Sequence, residues 1–168
     1  MTVNVFAPGA GIIILHPFLV PLFNELGLLE EGQFMNSVAR LKAFAVLHYI
    51  AFGNERINGQ SGAFLKFLCG IRSTESIEAI AVLTKEETGT IGECLAAFLA
   101  HWPALRNVSV EGLRTSFLQR AGKFTKEQDR IEVYVSGSAI DILLDRYPWS
   151  LGIIKLPWIE PLLYVSIG

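Results

Sequence analysis

Apolar residues recur at helical spacing up to Leu113 and at a spacing of two beyond Phe117. Val3 and Val5 alternate ahead of Pro8-Gly9, which predicts an extended arm. An apolar run from Gly11 to Leu26 predicts a first helix. Pro17 and Pro21 lie inside that run, so the helix is kinked or starts late, because proline lacks the backbone donor and crowds the preceding turn. Gly27 suits its stop. Asn36-Ser37 can cap a second helix ending at Gly53. Leu41, Phe44, Ala45, His48 and Phe52 form one face of that helix. Val46, Leu47, Tyr49 and Ile50 cover most of the rest, which makes it central. A polar loop over 54–61 leads to a short helix from Gly62 to Cys69, stopped by Gly70.

Thr84-Lys85-Glu86-Glu87 spells a capping box, in which Thr84 and Glu87 satisfy each other's free amides. Behind it Ile91, Cys94, Leu95, Phe98, Leu99 and Trp102 line one face of an amphipathic helix, which Pro103 limits. Ser109 caps a short helix carrying Val110, Leu113 and Phe117. The pattern then changes. Phe117 to Phe124 reads as a strand and Thr125 to Arg130 as a polar turn, after which Ile131, Val133 and Val135 alternate with Glu132, Tyr134 and Ser136. A helix over 139–147 follows Gly137-Ser138. Leu151 to Leu156 and Leu162 to Ile167 read as two paired strands, with Pro157 and Pro161 keeping the link out of the ladder. The expected fold is α+β in a single domain, 1–168. Residues 1–116 are mainly helical, and 117–168 form a small antiparallel sheet of about four strands with one inserted helix.

The chain has 168 residues, 51% of them hydrophobic and 18% charged, with a net charge of −2. Its length suffices to bury about 70% of the unfolded surface without a metal or disulfide. The charged fraction falls below the roughly 25% of an ordinary soluble domain, which fits either a lightly charged surface or one partly covered by partners. No lysine or arginine cluster provides the basic stripe that nucleic-acid binding needs. The most apolar stretch, Gly9 to Leu29, is broken by His16, two prolines, Asn24 and Glu25. It reads as a buried helix, not as a membrane span of about 20 uninterrupted residues or a signal peptide.

Candidate chemistry is sparse. His16, His48 and His101, with Cys69 and Cys94, show no zinc-ligand spacing, so no metal and no cofactor are expected. The thiols sit among apolar neighbours, where they make poor nucleophiles. Asp141 and Asp145 stand four apart on a helix and are more readily a solvated face than a catalytic pair. A small hydrolase or transferase using Asp141/Asp145 or a Cys/His pair is the alternative to a structural protein. Ala7-Pro8-Gly9-Ala10-Gly11 lacks the lysine of a phosphate-binding loop. Trp149 and Trp158 either fill the core or offer a partner anchor.

Several longer motifs together carry a resemblance. They are Gly11 to Leu29, Phe67-Leu68-Cys69-Gly70-Ile71, His101 to Arg114, Phe117-Leu118-Gln119-Arg120, and the tail with Pro148-Trp149 and Ile154-Lys155-Leu156-Pro157-Trp158. In this order, over nearly the whole chain, they resemble the C-terminal region of contractile injection system tape measure proteins, which belong to bacterial phage-tail-like particles. The resemblance implies a non-enzymatic structural and assembly domain acting through protein–protein contacts. Its implied partners are tube, baseplate or spike proteins, with effector cargo and self-association left open. Assembly in the cytoplasm and a place inside the particle are implied with it. Members of that family are usually much longer, so this chain is expected to be an excised domain or a short relative. At ~1.5 Å per residue a fully helical chain of this length would reach only about 250 Å, so the ruler role does not transfer to it.

Within the C-terminal hairpin, the period of two turns Ile154 and Leu156 toward the helices and Ile153 and Lys155 outward. With Trp158 nearby, Ile153 and Lys155 make a candidate docking surface.

Overall fold

The computed structural model describes residues 4–54, 62–75, 77 and 82–168. Val3 and residues 55–61 of the expected polar loop lie outside them. The chain opens with β1 (Asn4–Ala7), a 3-10 segment at Ala10–Leu15 and the helix α1 (His16–Glu25). The apolar run thus divides at His16. Pro17 falls in the first turn of α1, where its missing N–H costs nothing, and Pro21 sits on an exposed position. A two-residue hairpin follows, β2 (Leu29–Glu30) and β3 (Gln33–Phe34), turned by Glu31 and Gly32 at φ 51° and 80°.

Asn36 caps α2 (Ser37–Phe52), its Oδ1 accepting from the Ala39 amide at 2.8 Å. Apart from Tyr49, every residue from Ala43 to Ala51 is buried, which makes α2 the central helix. The short helix α3 (Ala63–Leu68) stops before Gly70, at φ +70°. At the start of α4 (Lys85–His101) the capping box is complete: the Glu87 amide donates to Thr84 Oγ1 at 3.1 Å, and the Thr84 amide to Glu87 Oε1 at 2.8 Å. Ile91, Leu95, Phe98 and Leu99 are buried along α4, and Trp102 is buried just beyond it.

The strand expected from Phe117 to Phe124 requires correction. Ser109 caps α5 (Val110–Leu113), which runs directly into a π turn at Arg114–Leu118. The wide turn buries Phe117 and Leu118. It also lets the Arg114 guanidinium donate to the carbonyls of Ile50 at 3.0 Å and Tyr49 at 3.3 Å, near the end of α2. These are carbonyls that a helix end otherwise leaves unpaired. The N-terminal 3-10 segment crosses the same turn: Gly11 donates its amide to Arg120, and a Cβ on Gly11 would lie 1.7 Å from the Phe117 carbonyl oxygen. Only glycine fits that crossing.

Extended structure resumes with β4 (Gly122–Lys126) and β5 (Arg130–Val135). Ser138 and Asp141 then cap a 3-10 helix at Ala139–Arg146, ahead of β6 (Ile153–Ile154) and β7 (Leu162–Ile167). The expected α+β class therefore holds, with most of the sheet following the helical part. Its strand order is β1-β4-β5-β7-β6, so the N-terminal arm supplies a fifth strand. The pairs β1–β4, β4–β5 and β6–β7 are antiparallel, whereas β5–β7 is parallel. That parallel pair needs the long crossover that carries the 3-10 helix. In the segment expected as a strand from Leu151 to Leu156, only Ile153 and Ile154 are in the ladder.

The inner face of the sheet presents Phe124, Ile131, Val133, Val135, Ile154 and Leu163, all buried against the helical layer in one apolar cluster. Trp149 stacks on Phe98 with centroids 5.2 Å apart, and both meet Phe18 edge-on.

Candidate protein-docking face

The other face of the sheet is open, and the strand register decides what stands on it. One row crosses all five strands: Asn4, Thr125, Glu132, Tyr164 and Ile153. The adjoining row is Phe6, Lys123, Tyr134 and Ser166. Phe6 is 64% exposed and Ile153 55%, at opposite edges of the sheet. Between them lies a depression of about 450 Å³, lined in part by Lys123, Glu132, Tyr134, Gly152 and Tyr164. Lys123 Nζ stands 5.7 Å from the Tyr134 ring centroid, and the Arg130 guanidinium stands 5.2 Å from that of Tyr164. Arg130 also pairs with Glu132 at 2.9 Å, both half exposed, and Tyr134 donates its hydroxyl to the Gly168 carbonyl at 2.7 Å. Two tyrosines held by cations and flanked by two exposed apolar side chains match the aromatic and arginine bias of protein interfaces.

The structure distributes the three residues expected at a docking surface. Ile153 faces outward opposite Tyr164, while Ile154 and Leu156 are buried. Lys155 is exposed, but its ammonium folds back to donate to the carbonyls of Ile159 and, at 2.6 Å, Glu160, clamping the Pro157–Pro161 corner. Trp158 lies on the core side. Its ring meets Phe23 and Phe34 at 5.6 and 5.0 Å, and its indole N–H donates to the Leu68 carbonyl at 2.7 Å. Phe6, Tyr134 and Tyr164 were not anticipated. The alternation of the first strand could have flagged Phe6, because it falls out of phase with Val5.

The candidate catalytic groups are engaged elsewhere. The carboxylate of Asp141 caps the 3-10 helix by accepting from the Ser138 amide at 2.9 Å, and it also pairs with Arg120. Asp145 is exposed. Burial raises the Cys69 thiol far above its ordinary range. It pushes Cys94 up to about 11, with the Glu25 charge adding to the effect. Neither thiol therefore forms a ready nucleophile. His48 donates toward the Asn54 carbonyl at 3.0 Å, His16 toward Ser150 at 2.7 Å and His101 toward Ala97 at 2.7 Å. Among the described residues no three His, Cys, Asp or Glu side chains converge on a common point.

Against known families, the model described as contractile injection system tape measure protein matches residues 3–167. No curated protein and no solved structure matches the chain.

Proposed function

The chain belongs to the contractile injection system tape measure protein family, and from that membership we propose how it docks within the particle. Its role is structural, in assembly, and works through contacts with other injection-system components rather than through catalysis. In our reading it acts as one folded module that seats the outer face of its sheet on a tube, baseplate or spike protein, with effector cargo as a further client. The observation that carries this is the open face itself: Phe6 and Ile153 exposed at its two edges, with Tyr134 and Tyr164 between them. A single apolar cluster joining helices and sheet supports the one-module reading. Assembly in the cytoplasm and association with the particle belong to the same proposal. Among the described residues no helix is long and apolar enough to cross a membrane.

The test is recovery of particle proteins on the tagged chain from cells assembling the particle, identified by mass. Ile153→Asp is expected to keep the thermal melting of the parent and to lower recovery of one tube, baseplate or spike protein about tenfold, as a charge buried without a partner does at an interface. Unchanged recovery, or unfolding by Ile153→Asp, would mean that this face does not dock.

A further inference from the structure

Large apolar side chains are also exposed at the start of α2. Val38 and Leu41, three apart, are 71% and 37% exposed, and Met35, just before the cap, is 53% exposed. Val82, 75% exposed, is tied to the same part of α2, its carbonyl accepting from Lys42 Nζ at 3.3 Å. Next to this stripe is a recess of about 480 Å³ lined by Ser37, Arg40, Leu41, Gly70, Arg72 and Glu75. Leu41 borders both. Arg40 lies along Gly70, its Cδ and Nε 3.8 Å from where a Cβ would stand.

The charges differ sharply in how they are satisfied. Lys42, one residue beyond Leu41, is paired with Glu87 at 2.8 Å. Arg40 and Arg72 have no ion pair or hydrogen-bonded carboxylate among the described residues, although Glu75 shares the recess. Among its described lining residues, two guanidiniums stand against one carboxylate, a net positive charge with planar donor forks suited to carboxylates. Apolar stripe and basic recess together form an amphipathic surface.

We propose that the start of α2 is a docking site for an acidic amphipathic segment of another particle component. Its apolar side packs on Val38, Leu41 and Val82, and its carboxylates meet Arg40 and Arg72. Charge complementarity selects that occupant, and the apolar stripe selects a polypeptide over a polyanion, whose backbone offers nothing to valine and leucine. This surface shares no residue with the open sheet face.

The experiment places a photo-reactive amino acid at Val38 in the full chain, in cells assembling the particle, and sequences the cross-linked peptide. A net-acidic peptide from another particle protein is expected. Its yield should fall about tenfold in Arg40→Glu/Arg72→Glu, where attraction becomes repulsion, while thermal melting stays at the parent's value. If that variant does not fold, Arg40→Gln/Arg72→Gln is used, with the same direction expected. A neutral or basic peptide, nucleic acid, a second copy of this chain, no cross-link, or a yield indifferent to the arginines would overturn the proposal. The readout is contact at Val38, so its failure is separate from failure of the sheet-face reading.

Discussion

The indole N–H of Trp158 donates to the carbonyl of Leu68 at 2.7 Å, joining the corner of the C-terminal hairpin to the end of α3 across 90 sequence positions. Leu68 is the last residue of α3, where helical carbonyls lack intrahelical partners. The tryptophan thus supplies a donor that the helix itself cannot, while its ring packs against both Phe23 and Phe34, which also meet each other. Replacing Trp158 with Phe keeps most of the ring and leaves the carbonyl unpaired, at an expected cost of about 1–2 kcal/mol. Trp158→Ala should cost roughly 3–5 kcal/mol. Urea unfolding of the two variants separates the hydrogen bond from the packing.

Phe98 is fully buried on α4, stacked on Trp149 and edge-on to Phe18 and Trp102. Phe98→Ala is expected to lose roughly 3–5 kcal/mol, the range for an aromatic removed from a packed core. A loss below about 1 kcal/mol in equilibrium unfolding would contradict the close packing of that face.

Glycines of the same chain should respond in opposite directions. Gly89 and Gly92 lie in α4 with nothing within 4 Å of an added Cβ. Replacing both with Ala should raise stability by roughly 1–2 kcal/mol, because alanine loses less backbone entropy in a helix. Gly11→Ala drives a Cβ to 1.7 Å from the Phe117 carbonyl oxygen, and it should cost more than about 3 kcal/mol or prevent folding. Denaturant midpoints of the variants read both signs.

Acidification should destabilise the fold through two histidines. His16 and His48 both sit below the ordinary histidine range. Burial disfavours the charged ring more than the hydrogen bonds to the Ser150 and Asn54 carbonyls favour it. The unfolded chain therefore takes up protons first as pH falls. The stability tied to the neutral rings is complete above about 6.5 and declines as pH drops through the lower folded values. Melting temperature should fall between about pH 7.5 and 5.5, and His48→Gln should flatten that fall relative to the parent. An equally steep fall in His16→Gln/His48→Gln would assign the effect to other groups.

What the sequence carried on its own was local. The caps at Asn36, Thr84 and Ser109 were readable, because donor and acceptor lie within three residues of each other. The apolar face of α4 and the alternation of β5 were readable for the same reason, since period alone orients successive side chains. Long motifs spread along the chain also marked the family, whose model spans residues 3–167.

The strand expected from Phe117 shows where local reading ends. Phe117 and Leu118 are apolar in either conformation. The π turn that forms instead has Arg114 reaching Ile50 and Tyr49, 64 and 65 positions away. The same holds for β1 joining β4, for the parallel pairing of β5 with β7, and for Trp158 turning inward to Leu68. A periodic pattern tells which side of a segment is apolar, but pairing and register depend on which distant segment covers it. The sequence therefore determined the elements with a clear local pattern, three of their caps and the family. Tertiary packing alone decided which side chains remain uncovered, because exposure is a property of neighbours and not of the residue itself.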